Sequence, residues 1–243
     1  MKDKSFLAFI KLIGFCLSRL PYFFLEWVTE LLAWLLISNP NPRRRLILSN
    51  LAHAFPDWDY GKVKRVAHES IARMLEMGFF SLCYPFLPSN VLRRTIFYDL
   101  KTEKQMDDLR RSKKPVLFLL PHTCLFETLA TSPFFRPFRG KTLGAIYRPN
   151  KNKALDQWIT RSREGLGLKV FSRKQGLIKA RNHLKNGNWL VVLYDQNAGL
   201  RGIGSTFLGR ICSISPLPDL LAKNKNVLCM HAVPERVSFF RTQ

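Results

Sequence analysis

PVLFLLPHTCLFET, residues 115–128, sets an apolar run directly before Pro121 and His122, with a single carboxylate, Glu127, five positions after the histidine. The run at 115–120 reads as a buried strand, and LFETLATSPF (125–134) as a short helix ended by Pro133. The alternation extends in both directions. TEKQMDDLRRS (102–112) is helical, KTLGAIY (141–147) a strand and ALDQWITRSREGLG (154–167) a helix. LKVFS (168–172) is a strand, QGLIKARNHLKNG (175–187) a helix with Gly187 as its C-cap, and NWLVVLY (188–194) a strand. Strand–helix alternation over a hundred residues predicts an α/β layered sheet with flanking helices.

In such sheets chemistry collects at the carboxyl ends of strands. Three clusters follow predicted strands: His122, Tyr147-Arg148-Pro149, and Asp195-Gln196. They are expected along one edge. On one continuous helix, His122 and Glu127 would lie roughly 140° apart after a full turn and could not face each other. With His122 at a strand end and Glu127 in the following helical turn, the carboxylate can fold back towards the imidazole. A carboxylate on one ring nitrogen fixes the tautomer and leaves the other nitrogen to accept a proton.

A length of 243 residues allows one sizeable α/β domain, or a modest domain with an appendage, and 47% hydrophobic residues predict a packed core. With 39 Lys+Arg against 17 Asp+Glu, the net charge of +22 calls for nucleic acid, an anionic membrane surface, a phosphorylated substrate or an acidic protein as partner. Residues 136–185 hold fourteen bases against two acids, Asp156 and Glu164. This block lies just downstream of the opening stretch and favours an anionic ligand surface. Five scattered cysteines without a CxxC pair predict neither a disulfide framework nor a zinc site, and fit a reducing compartment. His68-Glu69 begins a zinc-helix pattern, but Ala72 stands where the second histidine belongs, which excludes it.

Residues 5–37 are apolar and aromatic, interrupted by Lys11, Arg19, Glu26 and Glu30 and divided by Pro21. No uninterrupted run reaches the ~20 residues needed to span a bilayer. Glu26 and Glu30 share one helix face, leaving Trp27, Leu31 and Trp34 for another. A tilted span, an interfacial helix and a core helix all remain open. The expected division is a membrane-associating helical segment at 1–38 and a domain at 39–243. SNPNPRRR (38–45) supplies a break and three arginines that favour the cytoplasmic leaflet. GKVKRVAHESIARMLEMGFF (61–80) reads as an amphipathic helix.

His122-x4-Glu127 after an apolar strand, then YRP at 147–149, then YDQNAGLRGIGSTFLGR at 194–210, resembles the late acyltransferases of lipid A biosynthesis. These are the lauroyl/myristoyl transferases of the His-x4-Asp/Glu lysophospholipid acyltransferase class. RRRLILSNLAHAFPDW (43–58) is similar to that family's upstream segment, and the apolar N-terminus to its membrane anchor. The resemblance covers about residues 40–236. It implies a glycerolipid-acyltransferase-like fold and an enzyme of the bacterial inner membrane with its catalytic domain facing the cytoplasm. Its partners would be acyl carrier protein as donor, a lipid A precursor as acceptor and an anionic membrane surface, with no nucleic acid. His122 would be the general base, oriented by Glu127. Arg148 would bind a phosphate or stabilise developing charge. Asp195 would shape the pocket or hold Arg148, with Gln196 beside it. No metal or cofactor is implied.

The His122–Arg148 spacing is shorter than usual in that family, and the chain stops at VPERVSFFRTQ where the family continues. The domain is therefore expected to be C-terminally shortened, and a truncated, inactive member is one alternative. Others are an acyltransferase for glycerolipids or a mannosylated phosphatidylinositol, and a non-enzymatic basic protein binding membrane or nucleic acid. The Pro-Glu-Gly-Thr segment of the glycerol-phosphate branch is absent.

Overall fold

A computed structural model describes residues 2–112, 114–138, 140–173, 176–223 and 226–243. Gln175, where one expected helix begins, and Arg139 and Lys174 of the basic block lie outside the described residues. Four helices come first: α1 (Lys2–Leu17), α2 (Tyr22–Ser38), α3 (Pro42–Ala54) and α4 (Tyr60–Cys83). Then follow α5 (Ser89–Leu92), α6 (Leu100–Arg111), β1 (Val116–Leu120), β2 (Leu143–Tyr147), α7 (Lys153–Glu164), β3 (Leu168–Ser172), α8 (Gly176–Lys185) and β4 (Trp189–Leu193). The chain continues through β5 (Ile203–Phe207), β6 (Arg210–Ile214), α9 (Leu217–Ala222), β7 (Leu228–His231), β8 (Arg236–Ser238) and β9 (Arg241–Thr242).

The apolar runs at 116–120, 143–147, 168–172 and 189–193 form the expected strands, because a sheet covered on both faces needs apolar side chains on both. The sheet is parallel, in the order β3-β2-β4-β1-β7. Its two faces separate by the two-residue period of a strand. Val116, Phe118, Leu120, Leu143 and Trp189 enter one core, which Leu129, Phe135 and the α6 residues Met106 and Leu109 complete. Leu117, Leu190 and Val192 enter the other, against Ala180 and Leu184 of α8 and Leu221 of α9. Gly187 takes the expected C-cap conformation, with φ 78° and its N–H on the Leu184 carbonyl at 2.9 Å.

One element differs from its expected form. Residues 126–131 and 133–135 are 3₁₀ turns, not an α-helix. Thr128 and Thr131 turn their hydroxyls back onto the carbonyls of Leu125 and Thr128, each at 2.7 Å, which tightens the backbone.

The helices α1 and α2 meet at 119° across the break that holds Pro21, and among the described residues no single helix is long and apolar enough to cross a membrane. Leu25, Thr29, Ala33 and Ile37 of α2 are buried at four-residue spacing, and Ala33 and Ile37 pack with Ala67, Ile71 and Ala72 of α4. The opposite face leaves Phe23, Trp27, Leu31 and Trp34 exposed. Glu26 and Glu30 do share a face, and charge pairing uses it. Glu30 accepts from Arg73, and Glu26 from Arg236 at 2.6 Å.

Between them sits Glu76 of α4, only 1% exposed. It accepts from Arg73 (2.7 Å), Arg236 (2.8 Å) and the Phe240 backbone N–H (2.8 Å). The last strands are thereby tied to α2 and α4, while Phe239 and Phe240 fill a core with Leu25, Phe80 and Tyr84. Removing this buried carboxylate leaves the Phe240 amide unpaired and takes from Arg73 and Arg236 their shared buried partner, leaving them only Glu30 and Glu26. Glu76→Ala is therefore expected to lower unfolding free energy by about 3–5 kcal/mol. Glu30→Gln, at a partly exposed pair, should cost about 0–1 kcal/mol. Urea denaturation of the two variants checks both values.

Candidate active site

The strand order puts β4 between β1 and β2, so the three strand-end clusters fall on neighbouring strands. β1 and β4 pair with Leu120 opposite Leu193. His122 and Asp195 each lie two residues beyond that pair, and they meet. The Asp195 carboxylate bridges both donors of one residue: Oδ2 accepts the His122 backbone N–H at 2.7 Å, and Oδ1 the ring Nδ1 at 2.5 Å. This contact makes Nδ1 the protonated nitrogen of a neutral ring and leaves Nε2 as the basic one. Phe126 packs edge-on against the imidazole, with centroids 5.3 Å apart. Partial burial of Asp195 pushes its carboxyl up, but hydrogen bonds from the His122 ring and backbone outweigh it and hold the group below the usual carboxylate range.

The expected contact between His122 and Glu127 is not formed. Glu127 instead accepts from Arg163 of α7 at 2.7 Å and from the Ser81 hydroxyl of α4 at 2.5 Å. The cause is local. Cys124 turns the chain in a left-handed conformation (φ 46°), and the 3₁₀ turn then begins at Phe126. At three residues per turn, Phe126 and Glu127 point roughly 120° apart. Phe126 covers the imidazole, and Glu127 is carried round to α4 and α7. Asp195, expected to shape the pocket or hold Arg148, holds His122.

A cavity of about 390 Å³ opens at this edge, lined by His122, Glu127, Arg148 and Gln196 among others. Its size is that of a small-molecule site. Leu120, Leu129, Leu143, Ala145, Leu168 and Val191 give it apolar walls. Leu143, Ala145 and Tyr147 alternate along one face of β2, so the cavity follows the sheet down from the strand ends. Three guanidinium groups reach it: Arg148, Arg163 and Arg173. Arg148 makes no hydrogen bond or ion pair among the described residues. Tyr147, in the same YRP stretch, donates to Asp156 at 3.3 Å, and Asp156 also accepts the Asn150 N–H at 2.7 Å, which fixes the loop that carries Arg148. Beside the Glu127–Arg163 pair, burial pushes the Tyr84 phenol up and the Glu127 charge adds to this, against the opposing pull of Arg163, so it stays neutral.

Arg163, Arg173 and Ser81 were not distinguishable in the sequence. Two are arginines among fourteen bases, and nothing at Ser81 marks it within a long amphipathic helix. Asn197 follows Gln196 on the cavity wall, and its side chain accepts the Gly199 N–H at 2.7 Å. Among the described residues no group of three or more metal-ligating side chains occurs.

A carboxylate-held histidine thus stands at the carboxyl edge of a parallel sheet, above an apolar cavity that Arg148, Arg163 and Arg173 line. The chain belongs to the bacterial lipid A biosynthesis acyltransferase family, whose match spans residues 3–236 and so takes in both N-terminal helices. No curated protein matches the sequence significantly. Its class of activity is accordingly acyl transfer in lipid A biosynthesis, with a lipid acceptor and an acyl donor.

Because the Asp195 carboxyl is depressed in the folded protein, its contribution to stability is present above the ordinary carboxylate value of about 3.9 and is lost as pH falls through the folded value. Wild type should therefore exceed Asp195→Asn in urea midpoint near pH 6, and the difference should shrink below about pH 4. Denaturation curves at the two pH values test this.

Proposed function

We propose that the protein transfers a fatty acyl chain from acyl carrier protein to a hydroxyl of a lipid A precursor, with His122 as general base. The observation that carries this reading is the His122–Asp195 clamp at the polar rim of an apolar cavity. His122 Nε2 takes the proton of the acceptor hydroxyl as its oxygen attacks the thioester carbonyl. The new carbon–oxygen bond forms, the carbon–sulfur bond breaks, and the carrier thiolate leaves with the proton returned from His122. Asp195 orients the ring and stabilises the imidazolium that forms between these events.

Arg148 binds an acceptor phosphate or stabilises developing charge, and Gln196 contacts substrate on the same wall. Glu127 serves the site by anchoring Arg163. The apolar cavity accepts the acyl chain, and the basic surface at 136–185 suits both an acidic carrier and a phosphorylated acceptor. The exposed aromatic face of α1 and α2 rests on the inner membrane, with the catalytic domain on the cytoplasmic side.

The test is mass spectrometry of acceptor lipids incubated with acyl carrier proteins of several chain lengths. A mass gain is expected on the lipid A precursor. Gain on a lysophospholipid alone would reassign the substrate, and no gain on any acceptor would reject the reading. His122→Ala should lower turnover on the order of 10²–10⁴-fold in a protein that still folds, as circular dichroism would show. Asp195→Asn should lower kcat, whereas Glu127→Gln should act mainly on KM by freeing Arg163. Initial-rate kinetics separate the two carboxylates.

A further inference from the structure

Strands β5 and β6 form a two-stranded antiparallel hairpin, paired from Ile203↔Ile214 to Phe207↔Arg210, outside the main sheet. A hairpin this short does not bury a core of its own. Its apolar side chains are nonetheless large and in the open: Ile211 is 91% exposed, Phe207 69% and Leu208 52%, and Leu200 at its base is fully exposed. Arg210 stands at the tip and Arg201 at the base.

The turn itself is unfavourable. Leu208 and Gly209 both have positive φ, at 49° and 75°. Asn-Gly or Asp-Gly would sit there at little cost, whereas a leucine in the left-handed region is strained, its Cβ crowding the following carbonyl. A bulky apolar residue is thus held at a strained, solvent-facing tip, next to a phenylalanine and followed by an arginine.

The hairpin is also anchored at both ends to parts already described. At its base, Ala198 of the cavity wall donates its N–H to the Ser213 carbonyl at 3.0 Å, and the Ser213 hydroxyl donates to Gly199 at 2.6 Å. At its tip, the Leu208 carbonyl bonds His53 at the end of α3, at 2.8 Å. α3 begins with Arg43, Arg44 and Arg45 and exposes Leu46. Apolar groups between flanking arginines fit the boundary between acyl chains and anionic headgroups, with the guanidinium groups remaining at phosphate level.

We propose that the β5–β6 hairpin inserts Phe207, Leu208 and Ile211 into an anionic bilayer, a membrane contact separate from the N-terminal helices that sets the cavity mouth at the lipid surface. The choice of a bilayer as occupant rests on the lipid acceptor of the proposed reaction and on the flanking arginines.

The full chain is tested by flotation with vesicles of phosphatidylethanolamine and phosphatidylglycerol, with phosphatidylcholine vesicles for comparison. The variant carries Phe207→Ser, Leu208→Asn and Ile211→Ser. Its melting temperature should not fall, since all three residues are exposed and asparagine tolerates the left-handed turn. Its partition onto the anionic vesicles should drop on the order of ten-fold or more. In the unmodified protein, hydrogen exchange across residues 203–214 should slow when anionic vesicles are added. Equal partitioning of variant and wild type, or hairpin exchange unchanged by vesicles, overturns the proposal. Protection that grows with protein concentration in the absence of vesicles would assign the hairpin to a second copy of the chain and overturn it too. Neither measurement uses an acyl donor, so failure here is distinct from failure to detect acyl transfer.

Discussion

The register between β1 and β4 is the constraint on which the candidate site depends. Parallel strands about 4.8 Å apart, with Leu120 opposite Leu193, bring the residues two steps beyond each into hydrogen-bonding range. His122 and Asp195 are 73 positions apart in sequence, yet they occupy equivalent places on adjacent strands. One carboxylate then fixes both the backbone and the ring of the histidine. A slip of two residues in the register would move Asp195 by roughly 6.6 Å along the strand and break both bonds. The cores on either face of the sheet prevent this, because Phe118, Trp189 and Leu190 are each buried in a particular place. Packing far below the site thus sets the geometry at its edge.

That dependence explains which parts of the molecule were legible in the sequence. Strands buried on both faces announce themselves as uncharged apolar runs, and β1, β2 and β4 fall where those runs lie, while the edge strand β3 carries the exposed Lys169. Their carboxyl ends follow directly, so the gathering of His122, Arg148 and Gln196 around one cavity, with Asp195 on His122, was readable. Strand order was not. Nothing in the composition of NWLVVLY says that it pairs with both PVLFLL and KTLGAIY, and without that fact Asp195 has no assigned neighbour. Sequence distance favoured Glu127 instead, since five residues always lie close together in space. Closeness is not orientation. The threonines at 128 and 131 wind the segment as 3₁₀, and the face reserved for the histidine goes to Phe126.

The N-terminal helices follow a similar logic with charges in place of strands. Alternation of apolar and acidic residues in α2 told that it had two faces but not which partner took each. Small residues decide one side: Ala33 of α2 and Ala67 and Ala72 of α4 allow the helices to approach closely. Arginines mark the other, where Arg236 reaches Glu26 and Arg73 reaches Glu30. The expected boundary at residue 38 therefore coincides with a helix end but not with a break in packing. Arg236 and Phe240 lie 160 and 164 residues beyond Glu76, so α2 and α4 share one charge cluster with the last strands.

The two carboxylates at the cavity divide its electrostatics. Asp195 holds both the ring and the backbone of His122, so in the proposed reaction its charge would be more strongly compensated as His122 takes a proton. Glu127 is paired with a permanent cation, and its charge is already spent on Arg163 in the resting protein. Arg148 and Arg173 are left to present net positive charge to the cavity mouth, in a chain already carrying +22. An acidic donor and a phosphorylated acceptor would both be drawn to that mouth over a distance set by the Debye length, about 8 Å at physiological salt. Beneath it the walls are apolar and offer a charged group nothing. An amphipathic substrate of the proposed kind would meet positive charge at the rim beside His122 and apolar walls along the sheet.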